Sequence, residues 1–306
     1  MPNFQLRTLG WLRMILLTGA SGTVGSALLR RLTGSAEPVR CLVRDPRRLG
    51  DERVRVQIAL GDLADPPSFR NALRGVHTVI HLAASIRDQP RASIEELNAV
   101  ATLRLVRAAE RAGARRFVFL SALGAEHHSR TRFFRAKALA TSAVESAELE
   151  TIVFSPSIVY APGDPWITLL ERFSYLPAIP VSGAGHSLYQ PIWAEDVADC
   201  VMAALAPNGG PAHRSYELAG PETISYEEIV RVALRANGRR RRLVNVPLPV
   251  VRASLRGLKR VTGPKTFATW EEAELMEEPM TTERGTADAE SLGVKPLPMG
   301  QVLGGS

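Results

Sequence analysis

The sequence predicts an α/β fold, a doubly wound parallel sheet with a smaller C-terminal lobe. Three observations predict it. Short apolar strand patterns alternate with helical patterns through the first half of the 306-residue chain. A strand–glycine turn–helix unit, Met14 to Leu32, opens the series. After Ser155 proline and glycine become dense, which breaks the alternation and marks where a lobe is built onto the sheet.

The elements follow in order. Ile15–Leu17 is a short apolar run with the character of a buried parallel strand. Gly19, Gly22 and Gly25 come next, and Val24, Ala27, Leu28 and Leu32 then fall at helical spacing. Val39–Val43 reads as the second strand, Val54–Ile58 as the third and Val76–Leu82 as the fourth. A long helical pattern runs from about Ser93 to Ala112, Phe117–Leu120 is the fifth strand, a helix spans about Arg132 to Ser146, and Thr151–Phe154 is the sixth strand. Right-handed crossovers put the C-terminal ends of these strands on one edge of the sheet. In the second half, Ala194–Leu205 and Ser225–Ala236 read as helices, and Ser215–Leu218 and Leu243–Val246 as short strands. The expected division is an N-terminal extension (1–13), a sheet domain (14–155), a lobe with some return to the sheet (156–295) and a loosely held Gly/Pro-rich tail (296–306).

Composition bounds the class. Hydrophobic residues make up 45% of the chain, enough for a large core, and no apolar run is long enough to span a bilayer. Residues 1–13 lack the apolar stretch of a secretory signal. They read as a loose extension or, with Phe4, Leu6, Leu9, Trp11 and Leu12 beside Arg7 and Arg13, as an amphipathic arm. Cys41 and Cys200 lie far apart in predicted elements and read as core thiols of a reducing, cytoplasmic compartment. The net charge of +7 is carried mostly by arginine, without the aromatic-interleaved basic patch or motif of a nucleic-acid partner. No metal-ligand spacing is present.

The glycine unit carries the first chemical signal. A strand–turn–helix of this kind presents backbone N–H groups and the positive helix end to an anion, most often a dinucleotide pyrophosphate. Gly19 permits the tight turn, Gly22 admits the phosphates and Gly25 lets the helix sit close to the strand, with Ser21, Thr23 and Val24 filling the loop. The spacing is G-x-x-G-x-x-G rather than the general G-x-G-x-x-G. This makes the sheet domain Rossmann-type. The end of the second strand chooses between the two nicotinamide cofactors. Arg44 stands there, with Arg47 and Arg48 behind it, and planar bidentate donors favour NADP(H); Asp45 could still serve a ribose 2′-OH, so NAD(H) stays open. Asp62 and Leu63 follow the third strand, where the carboxylate could bond the adenine amino group or simply cap the loop. Ala83 and Ala84 end the fourth strand and let backbone pass close to the nucleotide, while His81 reads equally as a core histidine or a ligand.

Thr18-Gly-Ala-Ser-Gly-Thr-Val-Gly25, Gly61-Asp62-Leu63, His81-Leu-Ala-Ala84 and Ser121 together resemble the short-chain dehydrogenase/reductase superfamily. The Pro156–Asp164 segment and Tyr189–Ala198 resemble its extended and atypical, epimerase/dehydratase-like branches. The likeness is strongest to the group around the NADPH-binding accessory subunit of respiratory complex I. It covers roughly residues 14–295 and is most specific in the first 125. The resemblance extends the nucleotide cradle to Ser155, Pro156 and Ile158 after the sixth strand. It also implies a catalytic engine: a Tyr four residues before a Lys, the Lys holding the nicotinamide ribose and lowering the Tyr pKa, and a Ser orienting the substrate oxygen.

Ser121 and Lys137 stand where that pattern puts them, but the Tyr position holds Phe133. No tyrosine (160, 175, 189, 216 or 226) has a lysine four residues later. The expected outcomes are therefore a nucleotide held for structure, sensing or assembly; a reductase or epimerase-like enzyme in which Lys137, Tyr160 or a water supplies the proton to a small hydrophobic or carbonyl substrate, a quinone or a sugar nucleotide; or a lobe that binds a quinone, lipid or sugar nucleotide without turnover. His127 and His128 read as loop residues or as further proton carriers. In 248–262, Arg252, Arg256, Lys259 and Arg260 share one face opposite Leu248, Val251, Leu255 and Leu258. Such a helix packs as an ordinary surface helix, balanced by Glu271, Glu272, Glu274, Glu277 and Glu278, or docks on a protein or the inner face of a membrane. The run Arg239–Arg242 reads as a solvated turn.

Overall fold

The computed structural model describes residues 13–90, 92–206, 211–262 and 269–304. Twelve of the 13 residues of the expected N-terminal extension lie outside these, as do the last two residues of the expected tail. Its strands are β1 (Met14–Thr18), β2 (Val39–Val43), β3 (Gln57–Leu60), β4 (Val76–His81), β5 (Arg116–Leu120), β6 (Glu150–Pro156), β7 (Val159–Tyr160), β8 (Ala178–Ser182), β9 (Leu188–Tyr189), β10 (Ile192–Trp193), β11 (His213–Leu218), β12 (Ile224–Ser225) and β13 (Arg242–Val246). The helices are α1 (Thr23–Leu32), α2 (Pro66–Phe69), α3 (Ala101–Arg111), α4 (Arg132–Glu145), α5 (Pro165–Phe173), α6 (Ala194–Leu205), α7 (Tyr226–Ala236), α8 (Leu248–Thr262), α9 (Trp270–Leu275), α10 (Ala287–Ser291) and α11 (Met299–Gly304).

Seven parallel strands form the central sheet in the order β11-β6-β5-β4-β1-β2-β3. The alternation of each strand feeds two cores. From β1, Ile15 and Leu17 pack on one face with Leu28 and Leu32 of α1 and Val197 and Val201 of α6. Leu16 packs on the other with Phe69, Leu105 and Val106. Phe117 and Phe119 of β5 join the second face and Val118 the first, as a period of two demands. α1 and α6 are also joined by Arg31, whose Nε and Nη2 donate to Asp199 at 2.6 and 2.8 Å and whose Nη1 pairs with Glu195. Both cysteines are buried and free.

Two boundaries differ from the sequence expectation. The third strand starts at Gln57, not Val54, because Pro46–Val54 forms a 3-10 turn capped by Asp45. Its position at the sheet edge leaves Val54, Ile58 and Leu60 exposed, so apolar character there marked no burial. The tail differs more. Among residues 296–304, Met299 and Leu303 are buried in the lobe core with Ile167, Ile179, Tyr189, Ile229 and Leu234. Met299 N donates to Glu222 at 2.8 Å and Leu297 N to Asp196 at 3.0 Å, so side chains fix the backbone where glycine and proline suggested looseness.

The lobe carries two-stranded pairs, β8 with β13 in parallel and β9 with β12 antiparallel. Gln190 anchors the later chain to it, accepting from Thr282 N at 2.7 Å and donating to Thr282 O at 3.1 Å. Ser157 adds a 2.6 Å bond to Met280 O. Among the described residues no helix is long and apolar enough to cross a membrane. If the C-terminal segment belongs to the core, Met299→Ala should cost about 2–5 kcal/mol, the range for emptying a buried apolar site. Urea denaturation followed by circular dichroism measures it.

Candidate nucleotide site

A crevice of about 540 Å³ opens at the C-terminal ends of β1, β2, β3 and β4. Gly19, Ala20, Ser21 and Gly22 form its floor, Arg44, Asp45 and Arg48 one wall, Gly61, Asp62 and Leu63 the next, and Leu82, Ala83, Ala84 and Ser85 the other side. Gln89 and Leu97 also line it. This volume lies within the range of small-molecule sites.

Two of the three glycines are required by contact. A Cβ on Gly25 would lie 2.0 Å from the Gly19 carbonyl oxygen, and one on Gly19, whose φ is +75°, would lie 2.5 Å from Ala83 N. A Cβ on Gly22 would be 3.3 Å from Gly19 O, tight but not excluded. Helix α1 begins at Thr23 with no side-chain cap and no acidic residue in its first turn. Its first N–H groups therefore have no intrahelical partner, and the positive end of the helix faces the crevice uncompensated. These features fit a dinucleotide: the turn residues would hold its pyrophosphate. Thr23, Val24 and Gly25 sit in the first turn, behind the lining.

The second-strand end brings charges of both signs to the crevice. Asp45 is spent on Arg47, accepting from its Nε at 2.9 Å, its Nη2 at 3.0 Å and its backbone N at 3.0 Å, which holds the carboxyl below its ordinary range. Arg44 reaches Asp62 only at 4.0 Å, and its side chain is 61% exposed. Asp62 itself accepts from Ala64 N at 3.0 Å, so the loop-capping role is present.

At the neighbouring ends of β5 and β6 the remaining expected residues gather outside the crevice lining. Lys137 is buried at 3% exposure, and its Nζ donates to Leu120 O at 2.6 Å. The ammonium lies 4.7 Å from the Phe119 ring centroid and 5.9 Å from that of Phe133, one turn back on α4. Burial brings its pKa from 10.5 to about 7. The hydroxyl of buried Ser121 is 2.7 Å from Thr141 Oγ1. Pro156 O accepts from Leu123 N, and Ile158 joins the lobe core, with Ser155 half-buried on the same strand.

Several expectations resolve to structure. His81 is wholly buried between Thr18 Oγ1 at 2.7 Å and Thr102 Oγ1 at 3.0 Å, and desolvation pushes its pKa down to about 3, so it is a neutral core residue. Tyr160 is buried with its hydroxyl unpartnered among the described residues, and burial and Asp196 push its pKa up. His127 and His128 are exposed, His127 at 3.2 Å from Ser142 Oγ. Arg239 stacks 3.7 Å over Tyr175 and Arg241 donates to Ser174 O, so the basic run is partly engaged rather than simply solvated.

Sequence reasoning missed the strap after β4. Ser85 and Gln89 face the crevice, while Arg87 donates to Glu272 of α9 at 3.0 and 2.5 Å. Asp88 takes Arg132 Nη1 at 2.9 Å, and Asn98 clamps Ser85 through both amide atoms. The polar run Ser85–Gln89 at a strand end was the available signal. Among the described residues no His, Cys, Asp and Glu cluster could hold a metal ion.

Residues 19–164 match the family described as NAD(P)H-binding. The chain is 29% identical over 250 residues to NADH dehydrogenase [ubiquinone] 1 alpha subcomplex subunit 9, mitochondrial, of Arabidopsis thaliana, covering 77% of this chain and only 60% of that protein. It is 28% identical over 240 residues to ceramide reductase of Caulobacter vibrioides, covering 77% and 74%. A nucleoside-diphosphate-sugar epimerase from Staphylococcus aureus has the same fold, with a TM-score of 0.76 at 18% identity over 95% of this chain and 99% of that one.

Two outcomes are expected from this geometry. Gly25→Ala should destabilise the chain by about 1–3 kcal/mol through overpacking and abolish nucleotide binding, whereas Gly22→Ala should fold normally and lose affinity only. Thermal denaturation and titration with NADPH distinguish them. Lys137, protonated below about 7 when folded and below 10.5 when unfolded, binds fewer protons in the native state between those values. Stability therefore rises with pH across that window and is lowest at and below its acid end. The advantage of Lys137→Met over the parent should grow as pH falls from 10 to 7, read from urea midpoints.

Proposed function

We propose that this chain, a member of the atypical and extended branches of the short-chain dehydrogenase/reductase superfamily, binds NADP(H) and holds it mainly for structural or regulatory ends. One pairing carries the reading: a complete glycine cradle beside a site in which Phe133 stands one turn before Lys137. Phenylalanine offers no proton. Ser121 is turned to Thr141 and Lys137 to a backbone carbonyl, so both polar groups are already engaged. The relatives by sequence include both a complex I subunit and a reductase, which leaves either use open to the fold.

The preference for NADP(H) rests on the second-strand end. Asp45, the group that would serve a 2′-OH, is paired with Arg47, while Arg44, among the described residues, has one long contact to Asp62 and an exposed guanidinium to offer a 2′-phosphate. Arg44→Ala should weaken NADPH about tenfold or more, the size of a charge-assisted bond, and leave NADH within about twofold. Equal weakening would remove the assignment.

A second reading has a specific observation behind it. NADPH, when bound, would supply hydride, and Lys137 with a pKa near 7 could give a proton at Nζ to a carbonyl oxygen at neutral pH. The deciding measurement uses protein purified without added cofactor. Nucleotide released on denaturation is identified by mass, and a second sample receives NADPH with several quinones and aldehydes while absorbance is followed. Tightly held NADPH without turnover supports the structural or regulatory role. Exchangeable nucleotide with oxidation that Lys137→Met abolishes would establish a reductase instead.

A further inference from the structure

The groove between α8 and α9 combines features that the nucleotide site does not use. It encloses about 290 Å³ and is lined by Leu248, Pro249, Ala253 and Trp270, with Arg252 and Arg256 at its edge. The volume falls just below the usual range of small-molecule sites, about 300–1,000 Å³, which suits a slender ligand. Arg252 and Arg256 are one helical turn apart, so both guanidiniums can address one head group.

Neither arginine has a carboxylate within ion-pair distance among the described residues. Two of the five glutamates expected to balance them are turned elsewhere: Glu272 is held by Arg87 and by the Thr269 backbone N–H. Glu277 sits against Gly183 in the lobe, and burial raises its pKa. The one described partner of Arg252 is the Trp270 ring, 5.1 Å from the guanidinium carbon. A guanidinium stacked on an aromatic face keeps its N–H edge free for an anion. Lys259 and Arg260, expected on the same face, have side chains outside the described set.

We infer that this groove is a binding site for a single unbranched acyl chain bearing an anionic head group, taken up as a monomer. The chain lies against Leu248, Pro249, Ala253 and Trp270, and Arg252 and Arg256 hold the head group. Apolar walls supply affinity and the two charges supply orientation. The site is separate from the nucleotide crevice, and its occupation does not depend on the cofactor reading.

The test uses the full chain with decanoate as the probe, followed by calorimetry and tryptophan fluorescence below the micelle concentration. Saturable one-to-one binding is expected. Decanol, which lacks the charge, should bind at least about tenfold more weakly, as should decanoate to the Arg252→Glu/Arg256→Glu double variant. Ala253→Trp, at an exposed position, should fill the groove and remove binding while NADPH affinity stays unchanged, which controls for folding. Non-saturable binding, or equal affinity for decanol and decanoate, overturns the assignment. So does binding to phosphatidylglycerol vesicles without binding of monomeric decanoate, which would make this face a bilayer contact.

Discussion

Helix α1 lies closer to the turn that leaves strand β1 than any side chain allows, and much of the molecule follows from that approach. With hydrogen in place of Cβ at Gly25 and Gly19, the turn folds beneath the first helical residues and against the backbone of Ala83. The helix N-terminus then points into the crevice with its donors unspent. The other end of the same helix is fixed by its apolar stripe and by the Arg31 clamp on α6. A half-exposed clamp of this kind contributes modestly to stability. Its greater effect is geometric, since α6 leads back from the lobe into the sheet and is thereby locked to the element that forms the cradle.

Lys137 shows the competition of forces at the adjoining edge. Two aromatic rings face its ammonium, and such contacts favour the charged form by about 0.5–2 kcal/mol. Its bond to the Leu120 carbonyl acts in the same direction. Burial acts the other way, and the pKa falls from 10.5 to about 7. The lysine is held in place by sterics and one hydrogen bond, with its charge near balance at neutral pH. His81, on β4, is buried as well: its two threonine partners satisfy a neutral ring, and desolvation with the Lys137 charge pushes its pKa down to about 3.

Local pattern carried most of the sheet domain into view. Strand alternation, the glycine spacing and the helix periodicities each depend on residues a few positions apart, and they located β1, β2, β4, β5 and β6 with α1, α3 and α4. The third strand slipped because Val54 and Ile58 carry strand character at an edge where burial no longer selects it. The cradle residues from the turn and the ends of β2, β3 and β4 were equally legible. What the sequence could not display is contact between distant segments. Gln190 meets Thr282 across 92 positions and Glu222 meets Met299 across 77, so a segment rich in glycine and proline becomes part of the core. The neutral role of His81 was hidden for the same reason, since Thr18 and Thr102 lie 63 and 21 residues away.

The strap after β4 belongs to this invisible class, and it connects the two halves of the molecule. Successive residues turn to different partners: Ser85 and Gln89 to the crevice, Arg87 to Glu272, Asp88 to Arg132. Arg132 also takes Glu95 at 2.8 Å, so the strap is held from α4, one residue before Phe133. Glu272 is itself the residue that closes the capping box at the start of α9. Ser85 and Gln89 thus share one short segment with the side chains that meet the first turn of α9 and the first turn of α4. The Arg87–Glu272 pair is partly shielded from water, so removing either partner would leave the other with an incomplete replacement of its bonds. The lobe is thus tied to the cofactor edge by charge as well as by chain, through residues whose meaning appears only when segments 185 positions apart are brought together.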